Sequence, residues 1–535
     1  MKISKTLARW ALTLATAGLL CHSPALAQTP GSHEPPLQVK VNTLRLSGNE
    51  SLPRSEFEDV LQPYEGRLLS MDDIRRVAEE VVARYRERDF MTVSAYLPEQ
   101  DLSDGELTIA VVEAKVGKVT VEGSKFYDES YIKWMFDPVL WRQRDKGELI
   151  RRSDVERQLL LLNDTMDLTI RSVVKESETP GYVDIVLQAT DRRPLHLTLD
   201  YNNLGARSTG RNRLGASVEW GDVTGWGDML NFRYVESDLL NADTKGLDLF
   251  YARYLAPVNN TGTSVDFSYA NSAFQVGQEL QILDIRGDAD VLRAGVRHQL
   301  IRSSEANLEI EGAFVYQDVE NRILGSTFSR DKLREVVLGV SGDWASGDGR
   351  NYAGLRLTQD LGEVLGGTDR NDPLSSRGAG GGFTKLNVDL SRVQKLSDAS
   401  YLILRGTHQT AFSSLPYAEQ FGLGGISSVR GYLQSAYLGD SGYSLSAEVR
   451  FAPIPDNRQL FEVGAFIDHG AAAVKSPLPG EIPNLSLTGA GVTFQFRLPE
   501  ETFLRADLAW PLGNKTILPN TEDGPVPYLI LSKRF

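Results

Sequence analysis

Residues able to act as acid, base or metal ligand are few here and poorly spaced for it. Six histidines stand at 22, 33, 196, 298, 408 and 469, and no two have the spacing of a metal-binding pair. The G-x-S-x-G, H-E-x-x-H and phosphate-cradling G-x-x-x-x-G-K patterns do not occur. Asp468 and His469 are adjacent, but successive residues of a strand point to opposite faces and do not converge on one site. The expectation is a chain with no catalytic centre, no metal and no cofactor. What stands out instead is one arginine among four glycines, in Phe421-Gly-Leu-Gly-Gly-Ile-Ser-Ser-Val-Arg-Gly-Tyr432. Glycine tolerates positive φ and close backbone approach, so this stretch can bend tightly and deliver the Arg430 guanidinium to a fixed partner. A guanidinium can meet a carboxylate through two parallel hydrogen bonds, and Asp468 of Phe466-Ile-Asp-His-Gly470 is the candidate. The residues by themselves leave open that these are two separate solvated charges.

Elements must exist to bring that pair together. Lys2, Lys5 and Arg9 precede an apolar stretch from Trp10 to Leu20, and Ala25-Leu26-Ala27 follows, the pattern of a secretory signal over residues 1–27. Its removal takes away Cys21, the one cysteine, and changes the formal net charge from -14 to -17. A mature chain this acidic does not suit a nucleic-acid partner. A short Pro-rich tail, 28–36, follows. No later run of 18 apolar residues offers a transmembrane helix. A β-barrel has a weaker signature, segments of about ten alternating residues separated by turns.

Two related units are expected next, at 37–114 and 115–192. Lys40-Val-Asn-Thr-Leu-Arg-Leu-Ser-Gly-Asn49 aligns with Lys115-Val-Gly-Lys-Val-Thr-Val-Glu-Gly-Ser124 at an offset of 75 residues. Each is an alternating strand ended by a glycine turn, Gly48 or Gly123, ahead of a helical stretch. Ser70-Met-Asp-Asp73 and Ser153-Asp-Val-Glu156 read as capping boxes before the apolar faces Ile74, Val77, Val81, Tyr85 and Leu159, Leu160, Leu162. Two strands close each unit, at 92–97 and 106–112, then at 167–174 and 182–189. A three-stranded sheet covered on one face by helices leaves an edge strand and a groove, suited to receiving an extended chain.

Beyond residue 193 helical patterns stop, and sixteen strands are counted between 195–203 and 526–535. Tyr443, Leu445, Ala447, Val449 and Phe451 share one face, opposite Ser444, Ser446, Glu448 and Arg450. Leu504, Ala506, Leu508 and Trp510 likewise oppose Arg505 and Asp507. The even count, the secretory signal and the aromatic C-terminus favour a closed transmembrane barrel over a soluble sandwich, because lipid offers an open edge no partner. Sixteen strands leave an aqueous lumen. With Val463, Ala465 and Ile467 turned outward, Phe466, Asp468 and Gly470 face that lumen by the period of two.

Val429-Arg-Gly-Tyr432 after the eleventh strand, followed by Phe466-x-Asp-x-Gly470 in the thirteenth, resembles the paired signature of BamA-like outer-membrane barrels. The repeated β-α-α-β-β units resemble POTRA (polypeptide-transport-associated) domains. Two of them ahead of such a barrel are similar to the TpsB family of two-partner secretion transporters, as are Asp200-Tyr-Asn-Asn-Leu-Gly205, Thr209-Gly210, Arg213 and Thr224-Gly-Trp-Gly-Asp228. The resemblance implies an outer-membrane barrel of a Gram-negative bacterium with periplasmic POTRA domains. It implies binding of an unfolded secreted exoprotein of the TpsA type and its passage through the barrel without nucleotide. Contact with outer-membrane lipid and, during biogenesis, with the barrel assembly machinery goes with that reading. A barrel assembly factor is the alternative, one whose relatives carry more POTRA units. Within the resemblance the loop 413–440 folds inward, Arg430 at its tip pairs with Asp468, Gly431 and Tyr432 shape and seat the tip, and Phe535 ends the insertion signal. Lys533 departs from the hydrophobe usual two residues before the end. The stretch ahead of the first POTRA-like strand is too short for the plug helix of some members, so the loop alone is expected to obstruct the lumen.

Overall fold

The computed structural model describes residues 38–206, 209–238, 246–513 and 524–535. The signal, the Pro-rich tail and the residues on which the expected lack of a plug helix rests lie outside them.

In the first unit the central strand Glu106–Glu113 pairs parallel with Thr43–Ser47 and antiparallel with Val93–Tyr96. Helix Met71–Glu87 covers one face with Ile74, Val77, Ala78, Val81 and Tyr85. Its capping box forms as expected: the Asp73 N–H donates to Ser70 Oγ at 3.2 Å, and the Ser70 N–H donates back to Asp73 Oδ2 at 3.0 Å. The opening strand, expected as one run from Lys40, is broken instead. Gln38–Val41 leaves the sheet to pair with Arg67–Ser70, while the Asn42 and Thr43 N–H groups both turn to the Gly105 carbonyl.

The second unit repeats the sheet, with Tyr182–Asp191 between Lys115–Glu122 and Leu168–Glu176. Its helices are Glu129–Phe136, Pro138–Lys146 and Arg152–Asn163. The second capping box does not form. The last helix begins at Arg152 with no side-chain cap, because the Ser153 N–H and hydroxyl are taken by the Asp89 carboxylate of the first unit. The buried face of that helix is Val155, Gln158, Leu161 and Leu162, so of the expected face only Leu162 is fully buried while Leu159 and Leu160 are half-buried.

The sixteen barrel strands are Leu195–Asn202, Arg213–Gly221, Met229–Ser237, Leu247–Pro257, Thr263–Gln275, Arg286–Arg302, Ala306–Ile323, Ser326–Ser346, Gly349–Asp360, Thr384–Lys395, Ser400–Ala411, Ser441–Phe451, Phe461–Ala473, Asn484–Leu498, Thr502–Pro511 and Val526–Arg534. All neighbours are antiparallel, and the sheet closes where Ile530–Arg534 pairs with Thr198–Asn202. The Phe535 N–H adds one more rung, donating to the Leu197 carbonyl at 2.8 Å. The seventh and eighth strands, expected at 306–321 and 330–345, run to 18 and 21 residues. Leu324 and Gly325, at φ +50° and +77°, close a two-residue hairpin between them.

The second unit packs on the short turns at one end of the barrel. Arg157 donates to the carbonyls of Thr261 and Gln299. Arg302 grips Asp164 at 2.5 Å, and the Ser304 N–H donates to Glu156 at 2.9 Å. Trp134 meets Trp226 edge to face at 5.5 Å.

Candidate functional site in the barrel lumen

The connection between the eleventh and twelfth strands enters the lumen instead of arching over it. Its limbs form a two-stranded ribbon, Phe421–Leu423 with Tyr437–Gly439. Leu423, Val429 and Tyr432 pack in a small apolar cluster with Ala472, Leu485 and Leu487 of the wall. The tip is therefore held by burial before any charge is counted.

Arg430 is 2 % exposed and uses nearly all its donors. Nε and Nη2 donate to the two Asp468 oxygens at 2.7 and 2.9 Å, and the Arg430 main-chain N–H donates to Oδ2 at 3.1 Å. Nη1 reaches Glu448 at 2.9 Å and Asp507 at 3.2 Å, while Nη2 also faces Ser446 Oγ at 3.3 Å. The guanidinium carbon lies 3.3 Å from the centre of the Phe466 ring, a cation–π contact. Three acidic side chains around one cation need further compensation in so dry a place. Arg450 supplies it at Glu448, and Arg505 at Asp507 through bonds of 2.9 and 2.6 Å.

Glycines make the seat. Gly431, at φ +100°, turns the tip so that its N–H donates to the Tyr528 hydroxyl at 2.9 Å; that hydroxyl donates onward to the Tyr432 carbonyl at 2.7 Å. Tyr432 donates its own hydroxyl to the Thr488 carbonyl at 3.1 Å. Gly470 leaves room for Val429, and a Cβ at Gly489 would stand 1.8 Å from the Arg430 carbonyl oxygen.

All seven expected clasp residues, Val429, Arg430, Gly431, Tyr432, Phe466, Asp468 and Gly470, thus meet on the wall of the twelfth to fifteenth strands. Phe535 lies elsewhere, at the barrel seam, with the Lys533 ammonium 5.0 Å above its ring. Sequence reasoning missed Glu448, Asp507, Tyr528 and Gly489 as members of the site. Alternation puts the first two on the polar face of their strands, which is the signal that could have found them. Across the lumen, the fourth to eleventh strands border an open cavity of about 750 Å³ lined by Arg253, Asp266, Arg293, Glu311, Arg356 and Lys385 among others. The arrangement places a charged, open cavity beside a loop whose tip is buried against the wall. Among the described residues no group of side chains could hold a metal ion.

Comparison with known proteins fits this geometry. Residues 181–496 match the family model of haemolysin secretion/activation proteins ShlB/FhaC/HecB, and residues 39–114 match the ShlB-type POTRA domain. The heme/hemopexin transporter protein HuxB of Haemophilus influenzae (strain 86-028NP) is 22 % identical over 83 % of this chain and 79 % of its own length. The outer membrane transporter CdiB of Escherichia coli O6:K15:H31 is 22 % identical, covering 77 % of this chain and 69 % of its own. The solved structure of CdiB from Escherichia coli superposes with a TM-score of 0.73 at 20 % identity, over 95 % of this chain and 93 % of that one. A BamA from Haemophilus ducreyi lacking POTRA domains 1–3 reaches 0.56 at 13 % identity, covering 93 % of this chain and all of that one, a likeness of fold.

Proposed function

The chain belongs to the ShlB/FhaC/HecB family of haemolysin secretion/activation proteins, and from that premise we propose how this outer-membrane transporter of two-partner secretion handles its cargo. The protein sits in the outer membrane with its POTRA end in the periplasm. An unfolded exoprotein first adds to open sheet edges of the two N-terminal units. In the first unit, edge strand Val93–Tyr96 borders a groove of about 520 Å³ against the covering helix, lined by Met71, Ile74, Val82 and Tyr96. In the second, the nine-residue edge Leu168–Glu176 presents one unpaired side. Strand addition takes affinity from main-chain hydrogen bonds and leaves side-chain specificity modest, which suits a carrier of unfolded polypeptide.

The observation that carries the reading is the burial of Arg430 among Asp468, Glu448 and Asp507 on the lumen wall. In this reading the 413–440 loop is a resident obstruction that the arriving chain displaces, the Arg430–Asp468 pair sets how readily it leaves, and folding of the exported partner outside the cell prevents back-sliding. Phe535, 59 % exposed at the seam, serves the assembly machinery during insertion. The test is transport of the co-produced secreted protein into vesicles carrying purified transporter, with no nucleotide on either side. Translocation is expected; a requirement for added nucleotide refutes the mechanism.

A further inference from the structure

Arg377 lies in the long connection 361–383 between the ninth and tenth strands, at the end of the barrel away from the POTRA units. It takes a left-handed conformation, φ +58°, which a residue bearing a side chain adopts only when its surroundings impose it. Its side chain is nonetheless almost wholly buried, 1 % exposed. Nε and Nη2 donate to the two oxygens of Glu481, each at 3.0 Å, a paired contact with the turn between the thirteenth and fourteenth strands. Nη1 faces Asp440 at 3.4 Å. Asp440 is fully buried and stands at the C-terminal foot of the lumen loop.

Asp440 is a hub. It accepts from the Leu415 N–H at 2.8 Å and the Gln420 side-chain amide at 3.0 Å, both at the opposite foot of the same loop. Its other oxygen accepts from the Lys475 N–H at 2.5 Å, at the start of the thirteenth-to-fourteenth turn. Loop 361–383 is in turn fixed to the wall, since Ser375 Oγ and the Ser376 N–H both donate to Asp331 of the eighth strand, at 2.8 and 3.0 Å. One guanidinium and one carboxylate therefore join both feet of the lumen loop to two neighbouring outer connections.

We infer that Arg377, with Asp440 and Glu481, is a second latch of the transport loop: it fixes the loop at its outer feet as Arg430 fixes the tip, and it must release for the loop to leave the lumen. Arg377 acts here as a positioning residue, through Asp440. The inference rests on the reading that the loop obstructs the channel, so its test is made on the channel itself as well as on secretion.

The experiment records single channels of the full-length protein in planar bilayers, after heat-modifiable mobility has shown that each variant is a folded barrel. Arg377→Ala is expected to raise the frequency of large openings by at least about tenfold, because removing one partner of a buried pair leaves the other charge uncompensated. Asp440→Asn should act in the same direction. Arg377→Lys, which keeps the charge but loses the fork, should fall between wild type and Arg377→Ala, a graded recovery that mere loss of packing does not give. A folded Arg377→Ala barrel with wild-type openings overturns the latch, as does Arg377→Lys behaving like Arg377→Ala. If Arg377→Ala opens the channel while secretion stays at the wild-type rate, the latch stands and the role of the loop in transport falls. Should Arg377→Ala fail to fold, Asp440→Asn takes its place: raised openings support the latch, and wild-type openings overturn it.

Discussion

Substituting Gly489 by alanine tests the loop seat without touching a charge. The added Cβ would lie 1.8 Å from the Arg430 carbonyl oxygen, where contacts below 3.0 Å are essentially never seen. The shortfall is 1.2 Å, and the oxygen it presses on is backbone, which cannot swing aside as a side chain would. Displacing the tip by that amount stretches the 2.7 and 2.9 Å bonds to Asp468 beyond hydrogen-bonding range. Overpacking of this kind costs about 1–3 kcal/mol. At about 1.4 kcal/mol per factor of ten, the seated-to-unseated ratio falls between about 5- and 150-fold. The control is Gly312→Ala in the seventh strand, where a Cβ would meet only Leu338 Cδ2, at 3.9 Å. At equal abundance in the outer membrane, Gly489→Ala should show more frequent channel openings and reduced secretion of the partner, and Gly312→Ala neither. If the two variants are indistinguishable, the tight seat drawn from the wall glycines is refuted.

Two further outcomes follow from the ion pairs. Arg430→Ala and Asp468→Ala should each sharply reduce secretion while the barrel still inserts, and the double variant should be no worse than the more severe single, the mark of residues acting as a unit; full additivity in quantitative secretion counts against the pair. At the outer latch, the hydrogen bond from Arg377 holds the Glu481 carboxyl below its ordinary value, against a smaller desolvation effect. A depressed folded-state pKa means that the contribution is fully present above the ordinary carboxylate range and is lost as pH falls through the lowered value. Channel openings should therefore rise on acidification below the ordinary carboxylate range, and Glu481→Gln should show the raised frequency already at neutral pH with a weaker acid response.

Much of the molecule was legible because period two is a strong constraint. Outward Val463, Ala465 and Ile467 fix inward Phe466 and Asp468, and alternating segments separated by turns can be counted to sixteen, an even number that a barrel in lipid can close. The depth of the loop was not legible. Parity puts Glu448 and Asp507 on the polar faces of their strands, but only the three-dimensional seat shows that one guanidinium reaches both as well as Asp468. Gly489 and Tyr528 carry no local signal, since their function is to leave space and to bridge two backbone groups. Local rules failed where a distant partner prevailed over them: Ser153 has a capping-box neighbour at Glu156, yet its donors go to Asp89 across the boundary between units.

The docking of the second unit has a mechanical meaning. Arg157 and Asp164 fasten one helix to the turns beginning at Val258 and Ser303, which join the fourth to fifth and the sixth to seventh strands. A tug on the periplasmic arm therefore reaches the wall that borders the open cavity and also, through Arg192 on Glu501 at 3.8 Å, the turn that opens the strand bearing Asp507.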